Sequence, residues 1–424
     1  REVNLRIGEG EATIDASVAF NFDVGSGTLL VQAVVAETFP ILPEVPVREQ
    51  WEFKTDVLTN YLGIEQRIAL MPEPRISLDF DVKVVDYEER RIFYDLMASN
   101  IKVRSLVPMF QYASPITQTT TIGGTRLYFD PVLTNLRVGG TLIALQRNTR
   151  EIAVSKVVTL HADGATINAA VGVDVEANSL WFVVPAVGCY ISDDSGLDFG
   201  TQAGTFTINA DVLEIYDLQR PGATVTIDTF DSLPIIDKTF LITQPERFAY
   251  RREMMDGGVG IRSTRSRDTS MVVKRNFKFS VDRNSDEMDY WREFFALIVG
   301  GQKPFLASTQ LPDLTLREVP AQGGSSLEIN EGYYVQKLYP YDAFKRIRIQ
   351  FENGDHSYHN VTDTQTDANG LVTLSIAPAL TDDPEYTLIS KISFLHKLRS
   401  SDKVRLEHYN DYSYVKFGAR TTNN

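Results

Sequence analysis

The chain has 424 residues, enough for two to four domains that each bury a core. Its 43% hydrophobic and 23% charged content is that of a folded protein and excludes a disordered one. A formal net charge of −14 excludes a general nucleic-acid binder, which needs a basic surface.

Residues 1–36 are expected to form an N-terminal strand or arm. Arg75-Ile76-Ser77-Leu78-Asp79-Phe80-Asp81-Val82-Lys83-Val84 then alternates over ten residues, so it reads as a strand with one buried face. Tyr87 to Met97 carries apolar residues at helical spacing, and a strand is expected from Lys102 to Pro108. The apolar run Leu180 to Ile191 contains Trp181 and the only cysteine, Cys189. It is too short to span a bilayer and reads as a core strand, and one cysteine suits assembly in a reducing compartment. The turn-forming cluster Gln219-Arg220-Pro221-Gly222 predicts a boundary.

Asn276 to Val281 alternates again. Asp286 to Ile298 reads as a helix capped by Ser285 or Asp286 and stopped by Gly300-Gly301. Alternation returns in Arg346 to Phe351 and Lys403 to Glu407. Asn353-Gly354 and Asn369-Gly370 suit type I′ hairpin turns, with Leu371 to Leu374 as a return strand. The polar end Gly418 to Asn424 is expected to depend on a partner for order. Trp51, Trp181 and Trp291 sit in apolar or periodic contexts and are expected in the core.

The chain also resembles itself. Thr38-Phe39 with Leu42-Pro43 matches Thr229-Phe230 with Leu233-Pro234, and Gly63 to Arg67 matches Gly258 to Arg262. Leu78, Phe80 and Val82 match Phe277, Phe279 and Val281, and Arg91 to Leu96 matches Arg292 to Leu297. Lys102 matches Lys303, and Gly123-Gly124 matches Gly323-Gly324. The landmarks keep their order while the offset drifts only between 191 and 201 residues, as small loop insertions would make it drift. The expected fold is mainly β: two tandem copies of one unit, each with one short helix. The first spans 37–220, with a core part 37–115 and an all-β part 120–220. The second spans 221–424, with a core part 228–315 and an all-β part 320–412.

No catalytic or metal constellation emerges. His356 and His359 lie three apart on an expected strand, which points them to opposite faces. Asp363, Asp367, Asn369 and Gly370 lack the carboxylate that completes a calcium loop and read as a hairpin turn. Gly257, Gly258 and Gly260 lack the Lys-Ser/Thr of a phosphate loop. No enzyme activity and no cofactor is therefore expected. One stretch inverts the sign of the chain: Arg251, Arg252, Arg262, Arg265, Arg267, Lys274 and Arg275, with Arg247 and Lys278 beside them. It is the candidate partner interface, suited to an acidic neighbour.

Gly63 to Arg67, followed by Pro74-Arg75, the alternating strand, the helix with Phe93 and Leu96 and the Lys102 to Pro108 strand, resembles the opening of phage minor tail proteins of the distal-tail class. Tyr386 to Leu406, with Ile392-Ser393-Phe394, Arg399 and Asp402, resembles the end of the same unit. The resemblance covers roughly 37–220 and 228–412, although the second copy has Lys274-Arg275 where the first has Pro74-Arg75. It implies β-sandwich or barrel units of the tail-tube type in a ring at the tail tip, located in the virion and assembled in the host cytoplasm. The implied partners are other copies of itself, as a trimeric ring, with the tail-tube, hub, tail-fibre and tape-measure proteins. No membrane and no specific nucleic acid is implied. A baseplate hub and a carbohydrate-binding receptor-recognition protein are the alternatives.

Overall fold

A run that alternates apolar and polar side chains buries one face only, so it pairs laterally and covers that face with a second layer. The computed structural model describes residues 13–421 except 23–24, 35–36, 39–41, 60–64, 85–86, 101–104, 147–151, 178–179, 193–194, 200–203, 214–217, 220–224, 240–246, 250–251, 256–262, 267–271, 283–285, 319, 322, 369 and 382–387. The protein is mainly β. β1 (Thr13–Phe22) and β2 (Gly25–Val34) form a separate antiparallel pair.

The first half continues with β3 (Glu37–Thr38), β4 (Glu44–Thr59), β5 (Glu65–Val84), α1 (Tyr87–Asn100), β6 (Ser105–Pro108), β7 (Ser114–Gln118), β8 (Arg126–Phe129) and the one-turn α2 (Pro131–Thr134). β9 (Thr141–Gln146), β10 (Ile152–His161), β11 (Gly164–Ile167), β12 (Trp181–Ile191), β13 (Gly196–Phe199) and β14 (Gly204–Val212) complete it. The second half holds β15 (Thr229–Phe230), β16 (Leu233–Ile236), β17 (Arg247–Ala249), β18 (Arg252–Met255), β19 (Ser263–Ser266), β20 (Val272–Asp282), α3 (Glu287–Ile298) and β21 (Phe305–Ser308). β22 (Ser326–Ile329), β23 (Arg346–Phe351), β24 (His356–Thr366), β25 (Val372–Ala377), β26 (Ile389–His408) and β27 (Tyr412–Thr421) follow.

The strands pair in one order, twice. A short strand runs parallel to the strand after the helix: Glu37 of β3 faces Ser105 of β6, and Ile235 of β16 faces Leu306 of β21. The strand before the helix pairs with the last strand of its half, β5 with β14 and β20 with β27. The strand after the helix joins a long strand, β6 with β12 and β21 with β26. A small barrel lies between. In the first half β7, β8, β11, β10, β9 and β12 close into a ring. In the second, β22, β25, β24, β23 and β26 close through bridges at Leu316–Ile329 and Leu314–Ile392.

Local geometry repeats as well. Gly123 and Gly323 take φ of 84° and 63°, where a side chain is disfavoured. The next residues donate alike, Gly124 N–H to the Thr121 carbonyl at 2.9 Å and Gly324 N–H to the Ala321 carbonyl at 3.0 Å. Their own carbonyls accept from Val171 and Leu380, both at 2.9 Å. Trp181, Leu127 and Phe129 fill the first barrel, and Tyr334, Phe344 and Phe351 fill the second.

The two halves share the largest core instead of each burying its own. Trp51, Phe80 and Phe93 from the first and Phe279, Trp291, Phe294 and Phe295 from the second form one cluster. Each such side chain contributes about 1.5–3 kcal/mol by leaving water. The cause is an asymmetry between the long strands. β26 runs on to His408, and its end pairs with β4 from Lys403–Glu52 to His408–Val47, whereas β12 ends at Ile191.

Three expectations change. Thr38 is not the counterpart of Thr229, because the parallel pairing makes Ile235–Ile236 the strand that plays the role of β3. Thr229–Phe230 instead pairs with Leu233-Pro234 across a two-residue turn in which Asp231 and Ser232 have φ of 51° and 61°. That is type I′ geometry, and it does not occur at Asn353-Gly354. There only Gly354 has positive φ, 95°, its N–H meets the Phe351 carbonyl at 3.1 Å, and Asn353 Oδ1 accepts from Asp355 N–H at 3.0 Å. Asp286 precedes α3 without a side-chain capping bond. Ser285, Gly63, Lys102, Asn369, the boundary residues 220–222 and the landmark 258–262 lie outside the described residues.

Candidate functional site

The period of β20 divides the basic stretch. Arg275 is in phase with Val273, Phe277, Phe279 and Val281, so it turns inward and is 4% exposed, while Lys274 faces out. Arg252 and Arg265 lie on the paired strands β18 and β19, in register with Ser266 and Glu253. Arg251, Arg262 and Arg267 lie outside the described residues. The stretch is thus not one exposed patch: Arg275 donates to the Ser308 carbonyl inside, and Lys274 shares a cavity with cations from elsewhere in the chain.

Lys274 and Arg275 line a cavity of 340 Å³ together with Arg67, Arg399, Asp402 and Arg420. Arg67 comes from β5 in the first half; the others lie on β20, β26 and β27. Arg67 pairs with Glu65 at 2.9 Å and donates to the Gly301 carbonyl at 2.9 Å. Arg420 meets the same Glu65 at 2.7 Å, and Arg399 donates to the Gln302 carbonyl. Asp402 is occupied structurally: it accepts from Thr55 N–H at 3.0 Å, Thr55 Oγ1 at 2.8 Å and Gly301 N–H at 3.1 Å. Gly301 allows this convergence, since a Cβ there would lie 2.9 Å from Arg67 Nη1, Asp402 Oδ1 and the Ser400 carbonyl. Burial, and then the charge of Arg67, push Arg399 below the usual arginine value; Glu65 opposes the shift.

A second polar cluster lies inside the joint between the halves. Glu49 of β4 is 1% exposed. Its Oε1 accepts from Trp51 Nε1 at 2.6 Å, and its Oε2 accepts from Tyr112 Oη at 2.8 Å and Gln111 Nε2 at 3.1 Å. His408 Nε2 lies 3.2 Å from that same oxygen, and His408 Nδ1 lies 2.8 Å from Ser413 Oγ. Burial raises the carboxyl, but the hydrogen bond and charge of His408, with the Trp51 and Tyr112 bonds, outweigh it and hold Glu49 at about 2. Serine, histidine and glutamate in line resemble a nucleophilic triad, yet Ser413 is 1% exposed, which closes its hydroxyl to a substrate. A carboxylate fixed by four partners holds a charge instead of moving a proton. Beside it lies a cavity of 280 Å³ lined by Leu42, Val45, Val47, Phe110, Phe182 and His408.

Of the four remaining histidines, His161 Nε2 lies 2.9 Å from Thr166 Oγ1, and the other three belong to the second half. His356 lies 3.1 Å from Asp237, and His359 bridges Ser357 Oγ and the Pro378 carbonyl at 2.7 and 2.6 Å. His396 is 2% exposed, edge-on to Phe344, and neither ring nitrogen has a hydrogen-bond partner among the described residues. Burial, with the charge of Arg275, pushes its pKa well below the usual 6.5. The unfolded chain takes up this proton below about 6.5 and the folded chain does not, so stability falls as pH drops through that value. His396→Phe is expected to flatten the loss. Urea unfolding at about pH 7.5 and about pH 5.5 measures it, and an equal loss in both proteins contradicts this account.

Among the described residues, no group of three or more His, Cys, Asp or Glu could hold a metal ion. No helix among them is long and apolar enough to cross a membrane. Compared with known protein families and with curated proteins, the chain matches none.

Proposed function

We propose that this chain is a structural protein of a phage tail tip, a distal-tail or baseplate ring joining the tail tube to the hub and fibres, and that its halves descend from one duplicated unit. The observation that carries the reading is the strand-pairing order found twice, with matching glycine turns and a common core. A ring below a sixfold tube needs six similar surfaces, and three chains with two units each supply them. The shared core fixes the two units relative to one another. The reading supports no catalytic role. It places the chain in the virion, with itself, tail-tube, hub, fibre and tape-measure proteins as partners.

Native mass spectrometry of the full chain, alone and with its tail-tube protein, tests this. A trimer in either condition is expected. A stable hexamer contradicts pseudo-sixfold packing by three chains. A monomer in both favours a second reading, carbohydrate recognition, for which one observation speaks. Tyr412 is 40% exposed and stacks on Tyr409 at 4.8 Å, with Tyr414 at 5.2 Å. Such a ladder at a hairpin tip is the kind of platform on which sugar rings stack, and a glycan array reads it directly.

A further inference from the structure

We infer that the cavity among β5, β20, β26 and β27 is a binding site for a small phosphate-class dianion. Arg67, Lys274, Arg399 and Arg420 bring their charges to it, whereas Arg275 turns to the other face of β20 and donates to the Ser308 carbonyl; the carboxylates within it or bonded to its lining are Asp402 and Glu65. Four cations against two anions leave a formal excess of two positive charges, in a chain whose net charge is −14. A dianion cancels that excess.

The site is organised before any ligand arrives. The side chain of Arg67 is 7% exposed and held by Glu65 and the Gly301 carbonyl. Arg399 is held by the Gln302 carbonyl, and Glu65 braces Arg420. Ordering these long side chains is thus largely complete, which removes much of the usual entropic cost of gripping an anion. Partial burial strengthens each charge–charge interaction relative to open solvent. The planar fork of arginine matches two oxygens of a tetrahedral oxyanion. The 340 Å³ volume accommodates the anion together with bridging waters, each of which takes about 30 Å³. Burial, followed by the charges of Arg67 and Arg420, pushes Arg399 down, and an anion relieves the repulsive part.

This inference rests on the cavity and not on the tail-tip reading: a monomeric chain can bind phosphate and a trimer can fail to. The test is isothermal titration of the full chain with inorganic phosphate at about pH 8, where phosphate is mostly dianionic, at constant ionic strength set with sodium chloride. Saturable binding is expected, weakened about tenfold or more in Arg399→Gln, the loss expected from one charge-assisted hydrogen bond. Lys274→Gln is the second variant. Lys274 is exposed, so this change spares the core, and weaker binding is expected there as well. Absence of saturable binding, or equal binding by the wild type and both variants, overturns the inference. So does binding of a short oligonucleotide without binding of free phosphate, which assigns the cations to a nucleic-acid backbone.

Discussion

Replacing Glu49 with leucine is expected to destabilise the protein by about 3–5 kcal/mol, since several buried groups lose one acceptor at once, each at about 1–3 kcal/mol. The loss has several parts. His408 loses its contact with the carboxylate, and Trp51 Nε1, Tyr112 Oη and Gln111 Nε2 each lose their acceptor on Glu49. Four chain segments meet at this carboxylate: β4, the turn Phe110–Tyr112, and the strands β26 and β27 through His408 and Ser413. The variant therefore weakens the contact between halves instead of one barrel. The pH dependence follows from the shift. Glu49 titrates at about 2 when folded against an ordinary 4.5, so its stabilisation is full above about pH 4.5 and is lost as pH falls through 2. That difference corresponds to about 3 kcal/mol, of the same order as the mutational figure. Urea unfolding of wild type, Glu49→Leu, His408→Leu and the double variant completes a cycle. A coupling energy near zero between the two positions would falsify the Glu49–His408 contact as the joint.

Phe295→Ala is expected to cost about 3–5 kcal/mol, and Tyr94→Ala less than about 0.5 kcal/mol, although the two residues occupy matching positions in α3 and α1. Phe295 is 0% exposed, with its ring 6.0 Å from Trp51 and 5.1 Å from Phe417. Tyr94 is 55% exposed. Their neighbours one position earlier are both buried, Phe93 stacked on Phe206 at 4.4 Å and Phe294 edge-on to Phe305 at 5.4 Å. The two helices thus share a buried aromatic on the side that faces their own sheet. At the position of Phe295, α3 is covered on the far side as well, where β4 of the other half brings Trp51. Thermal melts of the two variants compare these positions, and similar shifts would show that the central core does not depend on α3 more than on α1.

The same logic separates what was legible in the chain from what was not. Strands at Arg75–Val84 and Asn276–Val281 were readable because period-2 burial is local: Leu78, Phe80, Val82, Phe277, Phe279 and Val281 are all buried. The three tryptophans and Cys189 are buried as expected, and Gly300-Gly301 follows the end of α3. The inward turn of Arg275 was also present in the pattern, since it shares the phase of Phe277, but a run of basic residues reads as surface when charge is weighed before periodicity. The Asn353-Gly354 loop departs from the type I′ reading because an Asn-Gly pair fits more than one loop length, and the hydrogen bonds of the flanking strands choose among them.

Glu49, His408 and the arginine cavity belong to the other kind. Glu49 and His408 are separated by 359 residues, and Arg67 lies 234 residues from the Gly301 carbonyl it meets. Neither cluster has a local spacing to recognise, because each forms only when the end of β26 pairs with β4 and brings the two halves together. The amino-acid sequence by itself determined the strand periods, the two helices and the repeated landmarks, all of which depend on neighbours within a few residues. The tertiary structure alone decided that the halves share one core, that a carboxylate is buried at their joint, and that four cations gather at one cavity, because each of these depends on which strand edges meet.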